Sequence, residues 1–102
     1  MAKINKGDIW YGTWGYEQTN VTFYLVTRVS QYYISLRELD SIYVDNNGMH
    51  GSKIPSLTLA KNEKPIRRKI GFDNNFLPCV DITKYHWAAP WDGNAVAVTS
   101  YA

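Results

Sequence analysis

Val21-Thr22-Phe23-Tyr24-Leu25-Val26-Thr27-Arg28-Val29-Ser30-Gln31-Tyr32-Tyr33-Ile34-Ser35-Leu36-Arg37 is the stretch whose reading decides the fold. Its period is two. Odd positions give Val21, Phe23, Leu25, Thr27 and Val29; even positions give Thr22, Tyr24, Val26 and Arg28. That alternation predicts a β-strand, with the odd side the better candidate for the core. Tyr32, Ile34 and Leu36 then alternate with Tyr33, Ser35 and Arg37 in a second strand. Ser30-Gln31 is a short link between them, so an antiparallel hairpin is expected. β-branched and aromatic side chains fill both runs, which suits a pleated, half-buried surface.

Working outward, a strand is expected from Asp8 to Trp14, opened by a Lys6-Gly7-Asp8 turn and closed by Gly15. Weaker strands are expected at Ser41–Val44, Pro65–Phe72, Leu77–Thr83 and Ala95–Tyr101. Between them lie Asp45-Asn46-Asn47-Gly48, Asp73-Asn74-Asn75 and Trp91-Asp92-Gly93-Asn94. These residue types tolerate the positive φ that tight turns demand. No window carries a helical stripe; Leu57–Lys64 offers one turn, stopped by Pro65. Six or seven short strands with frequent turns predict an all-β chain, a small antiparallel barrel of SH3-like form, with an OB-like barrel as the alternative. Closing the sheet would remove exposed edges.

The chain has 102 residues, enough for one domain, 1–102. Hydrophobic residues make up 45% and rings 15%, too many for a disordered chain. Four Trp, eight Tyr and three Phe exceed what one small core needs, so part of the surplus is expected at the surface. No run approaches the roughly 18 apolar residues of a membrane span. The start, Met1-Ala2-Lys3-Ile4-Asn5-Lys6, lacks a secretory apolar region. Cys79 is the one cysteine and makes no internal disulfide. These features together place the expected location in the cytoplasm, with no membrane partner.

Three segments stand out. In Trp10–Asn20, rings, two glycines and a polar run come together. The plain reading packs Trp10 and Trp14 on one strand face and makes Glu17–Asn20 an ordinary loop. The functional reading makes Trp14, Tyr16, Glu17 and Gln18 a recognition loop, rings giving contact area and amides fixing orientation. Trp14-Gly15-Tyr16-x-Gln18-Thr19-Asn20-x-x-Phe23-Tyr24 resembles a family of short proteins of bacteriophages and mobile elements. The resemblance extends to Lys6-Gly7-Asp8-Ile9, to Pro65-x-Arg67-Arg68-Lys69, to Trp91-Asp92-Gly93 and to Ser100-Tyr101-Ala102. It leaves Asp40–Lys64 unmatched. It implies a phage setting, in which small proteins bind and disable host defence machinery, and it implies no catalytic residues.

Lys61-Asn62-Glu63-Lys64-Pro65-Ile66-Arg67-Arg68-Lys69 holds five of the eleven basic residues in nine positions. In a strand, Ile66, Arg68 and Ile70 share one face and Arg67 and Lys69 the other, with Arg68 at a barrel rim or paired with an acid. The segment reads as a solubilising edge or as a basic patch of Lys61, Lys64, Arg67, Arg68 and Lys69 that meets phosphates or an acidic protein. Tyr24, Tyr33, Arg28 and Arg37, on the outward side of the hairpin, combine with Arg67 and Lys69 in a single-strand-binding pattern of rings and cations. The third segment, Tyr85–Gly93, carries Trp87 and Trp91. Pro90 argues against a central strand there, so a loop folding its tryptophans over one barrel end is expected, with an aromatic cage as the sharper reading.

His50, His86 and Cys79 cannot make the usual zinc set. Cys79 reads as a small hydrophobe on an apolar strand, not as half of a nucleophile pair with His86. Asp45-Asn46-Asn47-Gly48 lacks the repeat of a calcium loop, and no Gly-rich phosphate loop occurs. The expected function is binding without catalysis or cofactor. The first expectation is a phage protein that inhibits a bacterial defence component, such as a CRISPR nuclease complex, through Trp14, Tyr16, Glu17, Gln18, Tyr24, Tyr33, Arg37 and Trp91. The alternative is a nucleic-acid-binding barrel; a third is an accessory oligomer sealed by the aromatic C-terminus.

Overall fold

The computed structural model describes residues 4–15, 19–47, 50–60, 64–72, 77–84 and 86–99. Within them the alternating stretch forms β2 (Asn20–Val29) and the start of β3 (Tyr33–Asn47). The chain reverses at Ser30, whose backbone N–H and hydroxyl both donate to the Tyr33 carbonyl, at 2.9 and 3.2 Å. Around this hairpin lie β1 (Ile9–Trp14), β4 (His50–Leu59), β5 (Ile66–Lys69), β6 (Gly71–Phe72), β7 (Pro78–Thr83), β8 (His86–Pro90) and β9 (Val96–Thr99). The protein is all-β. Nine strands join in one antiparallel order, β6-β7-β8-β1-β2-β3-β4-β9, with β5 paired to β3.

β3 organises this sheet. This strand is fifteen residues long, and irregularities in its pairing bend it along its length. Its first part, Tyr33–Leu36, pairs with β5, and from Leu39 onward it pairs with β4. Register shifts at Leu39/Ser41 and Tyr43/Asp45 absorb the bend. The expected separate strand Ser41–Val44 is thus the continuation of β3. β4 was not foreseen, because Gly51 and Pro55 break its pattern; Pro55 lies at the first of these shifts, where ladder bonds are already irregular.

The sheet buries side chains on both faces. Trp10, Tyr24, Val26, Ile34, Leu36, Val80 and Ala88 form a first core, to which Ile66, Ile70 and Ile82 add. Val21, Phe23, Leu39 and Val98 form a second on the opposite face, flanked by Ile9, Tyr11, Leu25, Leu59, Trp91 and Val96. Each fully buried side chain of this size contributes about 1.5–3 kcal/mol. The expectation of one core side on β2 is corrected. Its odd residues Val21 and Phe23 serve the second core, and its even residues Tyr24 and Val26 serve the first, because β7 and β8 wrap over that side.

Two further details position the surfaces described below. Val26 pairs with Leu36 but Arg28 pairs with Ser35, so Thr27 is an extra residue, a bulge that reverses the alternation after it. At the other end, the β7–β8 pairing stops at Val80↔Ala88, short of Pro78 and Pro90. Tyr85–Gly93 is therefore not wholly a loop. His86–Pro90 is a strand between β7 and β1, and Pro90 is admitted because it is the terminal residue and needs only its pairing with Trp10. β5 comes back beside β7, where the Arg68 guanidinium donates to the Ile82 carbonyl at 3.2 Å. No ladder joins β5 to β7 among the described residues, so the sheet is not closed by strand pairing.

Candidate functional site

A broad concavity follows from the odd–even split of β8. Ala88 and His86 point toward the first core, so Trp87, Ala89 and, just beyond the strand, Trp91 point away from it. Over four residues the two tryptophans stand roughly 13 Å apart along the chain, with Ala89 as the low floor between them. Tyr11 is opposite Ala89 in the register and forms one wall, with Thr13 beside it. Leu77 and Pro78 form the other wall, where the β7–β8 ladder has ended. The resulting groove measures about 470 Å3.

Its walls are set in advance. The Trp91 backbone N–H donates to the Ile9 carbonyl at 2.9 Å, and its indole Nε1–H to the Asn94 carbonyl at 2.7 Å. Asn94 N–H in turn donates to the Asp92 carboxylate at 2.9 Å, across Gly93 at a φ of +91° that favours glycine. The Trp91 ring stands edge-on to Phe23, centroids 5.8 Å apart. Trp91 and Tyr11 therefore each pack one side into the second core and present the other to the groove. Trp87 is 57% exposed. Asp92 supplies a single carboxylate at one end.

Behind the groove, His86 lies between Trp14 and Tyr24, with ring centroids at 6.3 and 6.1 Å. Gly12 makes room for it: a Cβ on Gly12 would collide with the Trp87 carbonyl oxygen and the His86 ring. Burial holds the His86 imidazole below its ordinary pKa, and the nearby Gly12 backbone opposes this more weakly. His86 Nε2 is buried without a well-formed hydrogen bond.

The expected site residues are not gathered into one place. Trp14 is 44% exposed but its ring lies tilted against His86, and its indole N–H donates to the Thr22 hydroxyl at 2.8 Å. Tyr24 is corrected: at 5% exposure it is part of the first core and offers no surface to a partner. Tyr33 is exposed, with the Arg67 guanidinium 4.1 Å from its ring centroid. Arg37 is half-buried and engaged by a neighbour. Tyr16, Glu17, Gln18 and Lys61 lie outside the described residues, as do Asp73, Asn74 and Asn75.

The basic segment is divided by the pleat. Arg67 and Lys69 face outward, whereas Arg68 turns inward to the rim beside Ile66 and Ile70, as the alternation predicts; Lys64 is exposed before the strand. Among the described residues, Trp91 alone of the expected partner residues lines the groove. Tyr11 and Ala89 were missed; the strand period of Trp87-x-Ala89-x-Trp91 would have found Ala89, whereas Tyr11 joins it only through the pairing of β1 with β8. Among the described residues no group of three His, Cys, Asp or Glu side chains could hold a metal ion, and no helix is long and apolar enough to cross a membrane. Comparison of the chain with protein families, with curated proteins and with solved structures gives no match.

Proposed function

We propose that this protein is a non-catalytic binding module whose working surface is the groove between Trp87 and Trp91. The observation that carries this reading is the groove itself: the Trp91 indole held by its hydrogen bond to the Asn94 carbonyl, and Tyr11 packed with it against the second core, over a floor of Ala89, beside two prolines. Rigid aromatic walls suit an extended apolar or proline-containing segment of a partner protein, because little side-chain freedom is lost on binding. Asp92 at one end favours a segment that carries a cation there. The first core and the return of β5 to β7 support a finer reading of the fold as a partly open, SH3-like barrel.

The phage-family resemblance supplies the setting: the partner is a bacterial defence component, such as a CRISPR nuclease complex, met in the host cytoplasm. Affinity capture from lysates of several defence-carrying bacterial hosts tests this. The tagged wild type is compared with Ala89→Trp, which fills the groove floor. A defence component retained by the wild type and lost with Ala89→Trp supports the reading. No defence component from any host, or equal retention by both forms, contradicts it.

A further inference from the structure

The opposite end of the sheet carries a cationic notch that the groove does not use. Arg28 pairs with Ser35, and Ser35 with Arg67, so these three residues form one row across β2, β3 and β5. Adjacent strands are about 4.8 Å apart, which puts the two arginine backbones roughly 10 Å from each other with a small hydroxyl between. Their side chains overhang a notch of about 210 Å3, completed by Ser30 and Tyr33. The Thr27 bulge creates this row. Unbroken alternation would put Arg28 opposite Ile34, on the side of the first core; the extra residue turns it out beside Ser35.

The donors suit an oxyanion. Two arginines and the Ser35 hydroxyl line the notch, the Ser30 hydroxyl being already donated to the Tyr33 carbonyl, and no carboxylate lines it among the described residues. The Arg67 guanidinium lies over the Tyr33 ring, 4.1 Å from its centroid, and Tyr32 is exposed at the adjoining turn. The charge also runs on. Lys69 is one row further, opposite Tyr33, and Arg37 lies one row the other way. Rows are roughly 7 Å apart, so the exposed cations Arg28, Arg67 and Lys69 form a track of about 7 Å rather than a single point, with the half-buried, engaged Arg37 beyond its end.

We propose that this face binds the backbone of a single-stranded nucleic acid, one phosphate seated between Arg28 and Arg67, with bases stacking on Tyr32 and on the Arg67–Tyr33 pair. A track of cations beside rings matches a polyanion with free bases better than one isolated phosphate. Fluorescence anisotropy of the full chain with a labelled oligothymidine of about 12 nucleotides tests it. Binding at low salt that weakens steeply as salt rises is expected. Arg28→Gln and Arg67→Gln should each weaken it roughly fivefold and lower the salt slope by about one. Lys53→Gln, which removes a charge from β4, should change it far less. Unchanged thermal melting shows that each variant folds. No binding at low salt, arginine variants no weaker than Lys53→Gln, or equal affinity for duplex DNA overturns the proposal. Preferential binding of a phosphoserine peptide does so as well.

Discussion

Gly12 and His86 show how much one position decides. β1 and β8 pair at Trp10↔Pro90 and Tyr11↔Ala89, then β8 passes close over Gly12. The obstacle to any side chain there includes a backbone carbonyl, which cannot rotate away. Gly12→Ala is expected to cost about 3 kcal/mol or more, at the upper end of overpacking, read from the denaturant midpoint. His86 predicts a pH effect with a definite sign. The unfolded chain protonates this ring near about pH 6.5, while the folded chain resists until lower pH. The unfolded state thus holds more protons, and stability is full above that value and falls as pH drops toward the depressed folded pKa. Melting temperatures at about pH 7.5 and pH 5.5 should show this loss, and His86→Gln should reduce it.

At the scale of elements, what was legible followed from period. β1, β2, the first half of β3, β5, β7 and β9 were all visible as alternating runs, and the inward turn of Arg68 followed from its neighbours Ile66 and Ile70. β4 and β8 were not, since Gly51, Pro55 and Pro90 are breakers whose cost vanishes at a register shift or a strand end. The groove shared this fate, because it exists only where β8 exists. Arg28 is exposed as expected, but Tyr24 is not and the two do not share a face, for two reasons: the side of β2 that carries Tyr24 is covered, and a bulge reverses the alternation between the two residues. Neither is encoded in hydropathy. The link from Arg68 to Ile82 makes its own prediction. Arg68→Met should destabilise by about 1 kcal/mol, the size of one hydrogen bond at a partly solvated rim. Amide hydrogen exchange should quicken in β5 more than in β2.

Taken as a whole, the molecule spends its rings in two ways. Trp10, Phe23 and Tyr24 are sealed inside and close two cores on opposite faces of one sheet. Trp87, Tyr33 and Tyr32 remain outside, and Trp91 and Tyr11 lie between these extremes, anchored below and open above. A small chain with two cores gains rigidity on both faces, so its outward rings are held in place by packing. That division of labour is the central claim. Tryptophan-selective oxidation of the native protein, located by mass spectrometry, tests it most directly. The account predicts fastest reaction at Trp87, slower reaction at Trp14, less at Trp91 and protection of Trp10 until the protein unfolds. Protection of Trp87 in the free protein, or reaction of Trp10 as fast as Trp87, would contradict it.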